Sequence, residues 1–358
     1  MQAGTDLSIQ LREAYRSFAT RIADLSLAAS LDTHATPAAG DLCLVRVTRL
    51  GQHRHVELVS GRRAALAVGD QLIVAFGNRY ASDQFEAVIP PTLDACHLVA
   101  GGGIASTVVS RHVEMKAPTD IRPLGILRDA DGVALNLSRW GRPGVAKPAK
   151  GPGQPHMILV VGTSMNAGKT TLSANVIRTM RECGLRTSAL KLTGTGSGGD
   201  LWKYQDAGAI ESRDFGNVGL ATTAGMDILV LDEAIGRLCD SVSPQADVIV
   251  AELADGILQR ETSQLLQASN LRARAGSILF AASDALGAAA GVQLLASWRL
   301  DVSAVGGLMT ASPLAVREFS AFCNAPVIFA RESSAQEIAT HLFTPANGQP
   351  GKKHAAQR

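Results

Sequence analysis

The sequence has no excess of one charge: 34 Lys and Arg stand against 32 Asp and Glu, a formal net charge of +2. No large field therefore exists to draw in a polyanion without specificity, and nucleic acid is not an expected partner. Nor is there a run approaching the roughly 18 apolar residues that would span a bilayer. The first thirty residues lack a basic start followed by an apolar core. No membrane contact is expected, and the expected location is cytoplasmic. Cysteine is sparse, and Cys43, Cys96, Cys183, Cys239 and Cys323 form no CxxC pair. Such scatter suits buried reduced thiols better than a disulfide frame or a zinc site. The histidines do not gather at metal spacing either; His53 and His55 alternate along one stretch and read as exposed.

What is present is length and apolar content. With 358 residues, 46% of them hydrophobic, the chain is long enough for two cores, because single cores stop growing before this size. Residues 1–35 form a first segment in which Leu7, Leu11, Tyr15, Phe18, Ile22 and Leu25 recur at three- and four-residue intervals, predicting one amphipathic helix over 6–30. Short apolar runs at 42–47, 56–59, 72–76, 85–89, 97–100, 104–109 and 133–137, separated by Gly and Asp-Gly turns, predict a small β-rich domain over 36–139. Residues 140–156 are too rich in Pro and Gly for helix or inner strand and read as a linker.

Beyond the linker the pattern changes. Apolar runs at 157–161, 187–192, 248–253, 277–282, 302–308 and 327–330 alternate with helix-like segments, the signature of a mostly parallel sheet flanked by helices, here over 157–344. A helix from Lys169 stops at Gly184, Ser312-Pro313 opens another, and Ser334 with Glu337 has the spacing of a capping box. The polar end, 345–358, reads as a disordered tail.

At the head of this α/β region lies Gly162-Thr163-Ser164-Met165-Asn166-Ala167-Gly168-Lys169-Thr170-Thr171. A phosphate-binding loop needs a buried strand, a tight turn whose N–H groups face the phosphates, a Lys for the β/γ oxygens and a hydroxyl for Mg²⁺ at a helix N-terminus. All four stand here in order: residues 157–161, the turn 162–168, Lys169 and Thr170. Gly162, Thr163, Asn166, Ala167, Gly168, Lys169, Thr170 and Thr171 are the candidate residues for ATP or GTP, with Mg²⁺ as cofactor. Five residues rather than four separate Gly162 from Gly168, and Thr163 holds the place of the usual first glycine.

The form Gly-Thr-x-x-x-x-Gly-Lys-Thr resembles that of dethiobiotin synthetase and the cobyric acid synthase-like synthetases, within the P-loop class that includes MinD and ParA. The resemblance covers residues 157–330. The additional lysine that those ATPases carry early in the loop is replaced by Ser164. By the same resemblance, Lys191 is a second cation near the transferred phosphoryl group, alongside Lys169, and the stretch 246–256 stands for Walker B with Glu252 as Mg²⁺ ligand and Asp255 as a near alternative. The small-residue stretch 193–200 reads as a substrate or metal loop. Its Asp200 is a candidate second metal carboxylate or catalytic base, or simply the cap of the helix that follows.

This class moves a γ-phosphoryl group, by positioning and charge neutralisation. No Asn/Thr-Lys-x-Asp motif follows a late strand; Ser283-Asp284 is the only pair so placed. Too few residues remain for a glutaminase domain. The expected function is a kinase transferring phosphate to a small-molecule hydroxyl. A dethiobiotin synthetase-like ligase or cyclase acting on a carboxylate or carbamate stands beside it, as does a nucleotide-dependent GTPase or chaperone module using the β domain as a platform. A homodimer is a further expectation.

Overall fold

The computed structural model describes residues 7–141, 155–242, 245–268, 270–329, 333 and 335–343. The chain divides into two compact units. One joins Met1–Lys147 with Lys191–Trp202 and Arg213–Ser241, and the other comprises Pro148–Leu190, Lys203–Ser212 and Val242–Arg358. Most of the expected linker and the whole polar tail lie outside the described residues.

The first unit is built on five strands: β1 (Leu42–Arg49), β2 (Gln71–Phe76), β3 (Cys96–Ala100), β4 (Ile104–Arg111) and β5 (Thr119–Arg128). They follow the order β2-β1-β5-β3-β4, and a further pairing of β4 with β2 closes the ring. Closure leaves these strands no open edge. Because successive side chains point to opposite faces, β1 sends Cys43, Val45 and Val47 into one core with Leu72, Phe76, Leu98 and Ile121. Leu42 and Leu44 go into another with Ile73, Val99 and Ile104. Burial on both faces explains why β1 and β2 read as continuous apolar runs.

The longest strand, β5, was not expected. Pro123 and Gly125 obscure it in the sequence, and the structure places them where the register with β1 shifts, the position a sheet reserves for such residues. The strand expected at 133–137 is replaced by single bridges at Ala134 and Asn136 and a short 3₁₀ turn, Leu137–Trp140. Asn136 diverts the chain: its side chain accepts from Ser138 N and donates to Ala39 O and Asp41 Oδ1.

The single helix expected over 6–30 is also corrected. Helix α1 (Leu7–Glu13) ends early; Tyr15–Arg16 then pairs parallel with β2, and Ser30–Asp32 pairs with β5. Backbone pairing with the sheet competes with helical hydrogen bonds there. The Arg16 guanidinium stabilises the non-helical path by donating to the carbonyls of Thr20, Arg21 and Ala23. The apolar stripe is still buried, but split: Leu7, Leu11, Ile22 and Leu25 pack on one core and Tyr15 on the other.

A second sheet has strands β6 (His156–Gly162), β7 (Thr187–Lys191), β8 (Glu211–Asp214), β9 (Val248–Glu252), β10 (Ala275–Ala281) and β11 (Ala304–Gly306), in the order β8-β7-β9-β6-β10-β11, and apart from Lys191 and residues 213–214 these strands belong to the second unit. The pairings β6–β9, β6–β10 and β10–β11 are parallel. Helices connect them, as the alternating pattern predicts. Helix α2 (Lys169–Glu182) ends with Leu185 N donating to Met180 O, past Gly184 at φ +78°, and Ser312 caps Pro313–Phe322. Ser334 of the expected capping box lies outside the described residues. Residues 327–329 contribute one bridge, Val305↔Val327, rather than a strand. Among the described residues no helix is long and apolar enough to cross a membrane.

All five cysteines are free, with Cys43, Cys96 and Cys239 buried and Cys183 exposed. His53, expected on the surface, is tucked against Phe85, with Nδ1 facing Leu98 O at 3.1 Å. Burial pushes its pKa down to about 4, with the Arg79 charge adding to the effect. Its folded value lies below the unfolded one. Its contribution to stability is therefore complete above pH 6.5 and lost as pH falls towards 4, by up to about 3 kcal/mol. Urea unfolding at pH 7 and pH 4.5 should show a larger acid loss for the native chain than for His53→Gln; equal losses would refute this assignment.

Candidate nucleotide site

The register of the sheet assembles the site in the second unit. Val160 pairs with Glu252 and Gly162 with Ala281, so β6, β9 and β10 bring the candidate phosphate loop and Glu252 to one C-terminal edge, where open α/β sheets bind ligands. The loop turns on two left-handed residues, Asn166 (φ +60°) and Gly168 (φ +93°), and runs directly into α2, whose first-turn N–H groups have no partner within the helix.

Both flanks of the loop are fixed by neighbouring strand ends. Thr163 N donates to Ala281 O at 3.0 Å, Ile257 N to Gly162 O at 2.9 Å, and Leu308 N to Ala167 O at 3.0 Å. These approaches need glycine. A Cβ on Gly256 would stand 2.3 Å from Thr163 O, and one on Gly307 (φ +91°) 2.4 Å from Ala167 O. Neither glycine was singled out from the sequence, because nothing local marks which distant glycine will meet the loop.

Inside the loop, the Lys169 ammonium donates to Ser164 O at 2.6 Å, which folds the cation back over the turn. Thr170 Oγ1 donates to Glu252 Oε1 at 3.2 Å. Glu252 is 1% exposed. Two further hydroxyls converge on its other oxygen, Oε2: Ser173 at 3.4 Å and Tyr204. Ser173 could have been found as the residue one helical turn after Thr170; Tyr204 could not, since its approach is purely tertiary. Asp255 follows the strand end, with its N–H donating to Gln259 Oε1.

The donor set fits a nucleotide polyphosphate with Mg²⁺, either ATP or GTP. Mg²⁺ is held by one or two carboxylates, a hydroxyl and substrate phosphates rather than by a protein cage, and Thr170 beside Glu252 supplies that pair. Among the described residues no group of three or more His, Cys, Asp or Glu side chains forms a cage.

Lys191 and Asp200 come together with each other in the first unit, Nζ to Oδ2 at 2.7 Å. Asp200 lies in the first turn of α3 (Gly199–Asp206). The loop before it is tied down: Ser197 Oγ and Gly198 N both donate to Glu57 Oε2 at 2.9 Å, and a Cβ on Gly102 would stand 1.9 Å from Gly196 O. Gly102 therefore serves close backbone packing. Arg79 is buried, with Nη2 donating to Gln84. Asp284, of the pair placed where base recognition was sought, accepts from Gly287 N as a helix cap.

No protein-family model and no curated protein matches the chain. Solved structures similar to it include the signal recognition particle receptor FtsY of Elizabethkingia anophelis, with TM-score 0.35 and 17% identity over 55% of this chain and 68% of that one. FtsY of Mycoplasma mycoides follows at 0.32 and 15%, over 53% and 68%. Chloroplast FtsY of Physcomitrella patens stands at 0.36 and 15%, over 56% and 69%. By its sheet, loop and Walker B geometry the second unit has a P-loop nucleotide-binding fold.

One expectation is corrected. These structures are signal recognition particle receptors, and none of those named is a small-molecule kinase or an ATP-dependent ligase. The assignments as kinase, transferase and ligase are withdrawn, and the small-molecule substrate that accompanied them gains no support. The narrower resemblance to dethiobiotin synthetase is not carried by these matches either.

The packing of Gly307 makes the loop's shape testable. A side chain there meets Ala167 O and enters a backbone region costing roughly 1–3 kcal/mol. Gly307→Ala should therefore raise amide hydrogen exchange across residues 162–168 by about tenfold or more, read by mass spectrometry. An unchanged exchange pattern would show that the loop does not depend on this contact.

Proposed function

We propose that the chain is a nucleotide-dependent module that binds ATP or GTP with Mg²⁺ at residues 162–171 and hydrolyses it, its nucleotide state governing association with a protein partner. The observation that carries this reading is the pairing of Thr170 with the buried Glu252 at the same sheet edge as Lys169. One of the FtsY structures is a complex with GDP, a ligand of the class this loop would hold.

In this reading Lys169 releases Ser164 O and turns to the β/γ oxygens. The α2 N-terminus and the loop N–H groups hold the phosphates in place. Thr170 and Glu252 hold Mg²⁺, which when bound supplies charge neutralisation on the phosphate oxygens. Positioning and charge are the whole of what these residues contribute, which suits slow intrinsic hydrolysis raised by a partner.

The test is equilibrium binding of ATP and GTP to the full chain, with phosphate release measured alongside. Lys169→Ala should weaken binding or turnover by about a hundredfold, the scale of losing one preorganised charged donor. Glu252→Gln should remove most of the Mg²⁺ dependence. Retention of full affinity and turnover by Lys169→Ala would falsify the assignment of the site.

A further inference from the structure

Glu252 is the carboxylate that the nucleotide reading gives to Mg²⁺, and its two oxygens accept from different side chains. Oε1 accepts from Thr170, the loop's own metal hydroxyl, whereas Oε2 accepts from Tyr204 and, at longer range, from Ser173. Tyr204 is 1% exposed, as is Glu252, and Ser173 is fully buried. A carboxylate at a strand end can rotate about its last bond. A hydrogen bond from a buried phenol to one oxygen restrains that rotation and so favours one direction for the other oxygen.

We propose that Tyr204 is a positioning residue for the Mg²⁺ carboxylate: by holding Oε2 it keeps Oε1 turned to Thr170. This inference rests on the nucleotide reading above. Tyr204 sits on α3, and its hydroxyl reaches Glu252 within the second unit.

Tyr204→Phe keeps the ring and removes only the hydroxyl. With the full chain and N-methylanthraniloyl-labelled ATP and GDP as probes, affinity is measured in EDTA and across a Mg²⁺ titration, with thermal melting as a control on folding. Tyr204→Phe should raise the Mg²⁺ concentration for half-saturation by about tenfold, the usual scale for loss of a group that orients a metal ligand. Affinity in EDTA should change by less than about twofold. An unchanged Mg²⁺ half-saturation, a tighter one, or equal losses with and without Mg²⁺ overturns the proposal while leaving the nucleotide reading intact. If the native chain binds neither probe under either condition, the nucleotide reading itself falls and this inference with it. Should Tyr204→Phe fail to fold, 3-fluorotyrosine in place of the three tyrosines alters the acidity of the same donor. A shift in Mg²⁺ half-saturation at constant EDTA affinity then supports the role, and no shift overturns it.

Discussion

The contact between Thr170 and Glu252 is the interaction on which the rest of the candidate site depends. A carboxylate that is almost wholly withdrawn from water is costly unless hydrogen bonds or a cation compensate it. Three hydroxyls from two separated stretches of chain close around Glu252: Thr170 and Ser173 from α2, and Tyr204 from α3. Meeting that demand fixes the first turn of α2 and therefore the direction in which Lys169 leaves the loop.

The sheet makes this contact possible. Parallel pairing of β6 with β9 aligns Val160 and Glu252, while β10 on the other side aligns Gly162 with Ala281. Neighbouring segments then bond the loop from both flanks: Ala281 O accepts from Thr163 N, and the N–H groups of Ile257 and Leu308 donate to Gly162 O and Ala167 O. The glycines at 256 and 307 are required by that close approach rather than by any chemistry of their own. Backbone held in this way keeps the loop N–H groups in place, while the Lys169 side chain lies folded onto Ser164 O.

In the first unit, the Gly-rich stretch after β7 packs closely on the β platform. Glu57 takes two hydrogen bonds from residues 197 and 198, and Lys191 pairs with Asp200. The small residues that suggested a substrate loop are thus engaged in close packing within this unit. Glycine in a turn has the same appearance in a sequence whether it makes room for a ligand or for another segment of backbone.

Several elements were legible without coordinates: the phosphate loop, its strand and helix, Glu252 as the strand-end carboxylate, the parallel α/β pattern, and most barrel strands. Each rests on local spacing or periodicity, which short-range sterics and hydrogen bonding enforce. The N-terminal segment misled because its three- and four-residue apolar spacing is satisfied by two cores once Tyr15–Arg16 pairs with β2. Strand β5 stayed hidden because Pro123 and Gly125 break the pattern where the register shifts. Tyr204 had no sequence signal at all, lying 48 residues from its partner Glu252. The sequence by itself determined where the candidate phosphate loop lies, since the turn, the lysine and the hydroxyl are contiguous. Only the tertiary structure decided how Glu252 is oriented, which glycines enclose the loop, and that Lys191 and Asp200 pair with each other, because those contacts join segments whose proximity arises from folding.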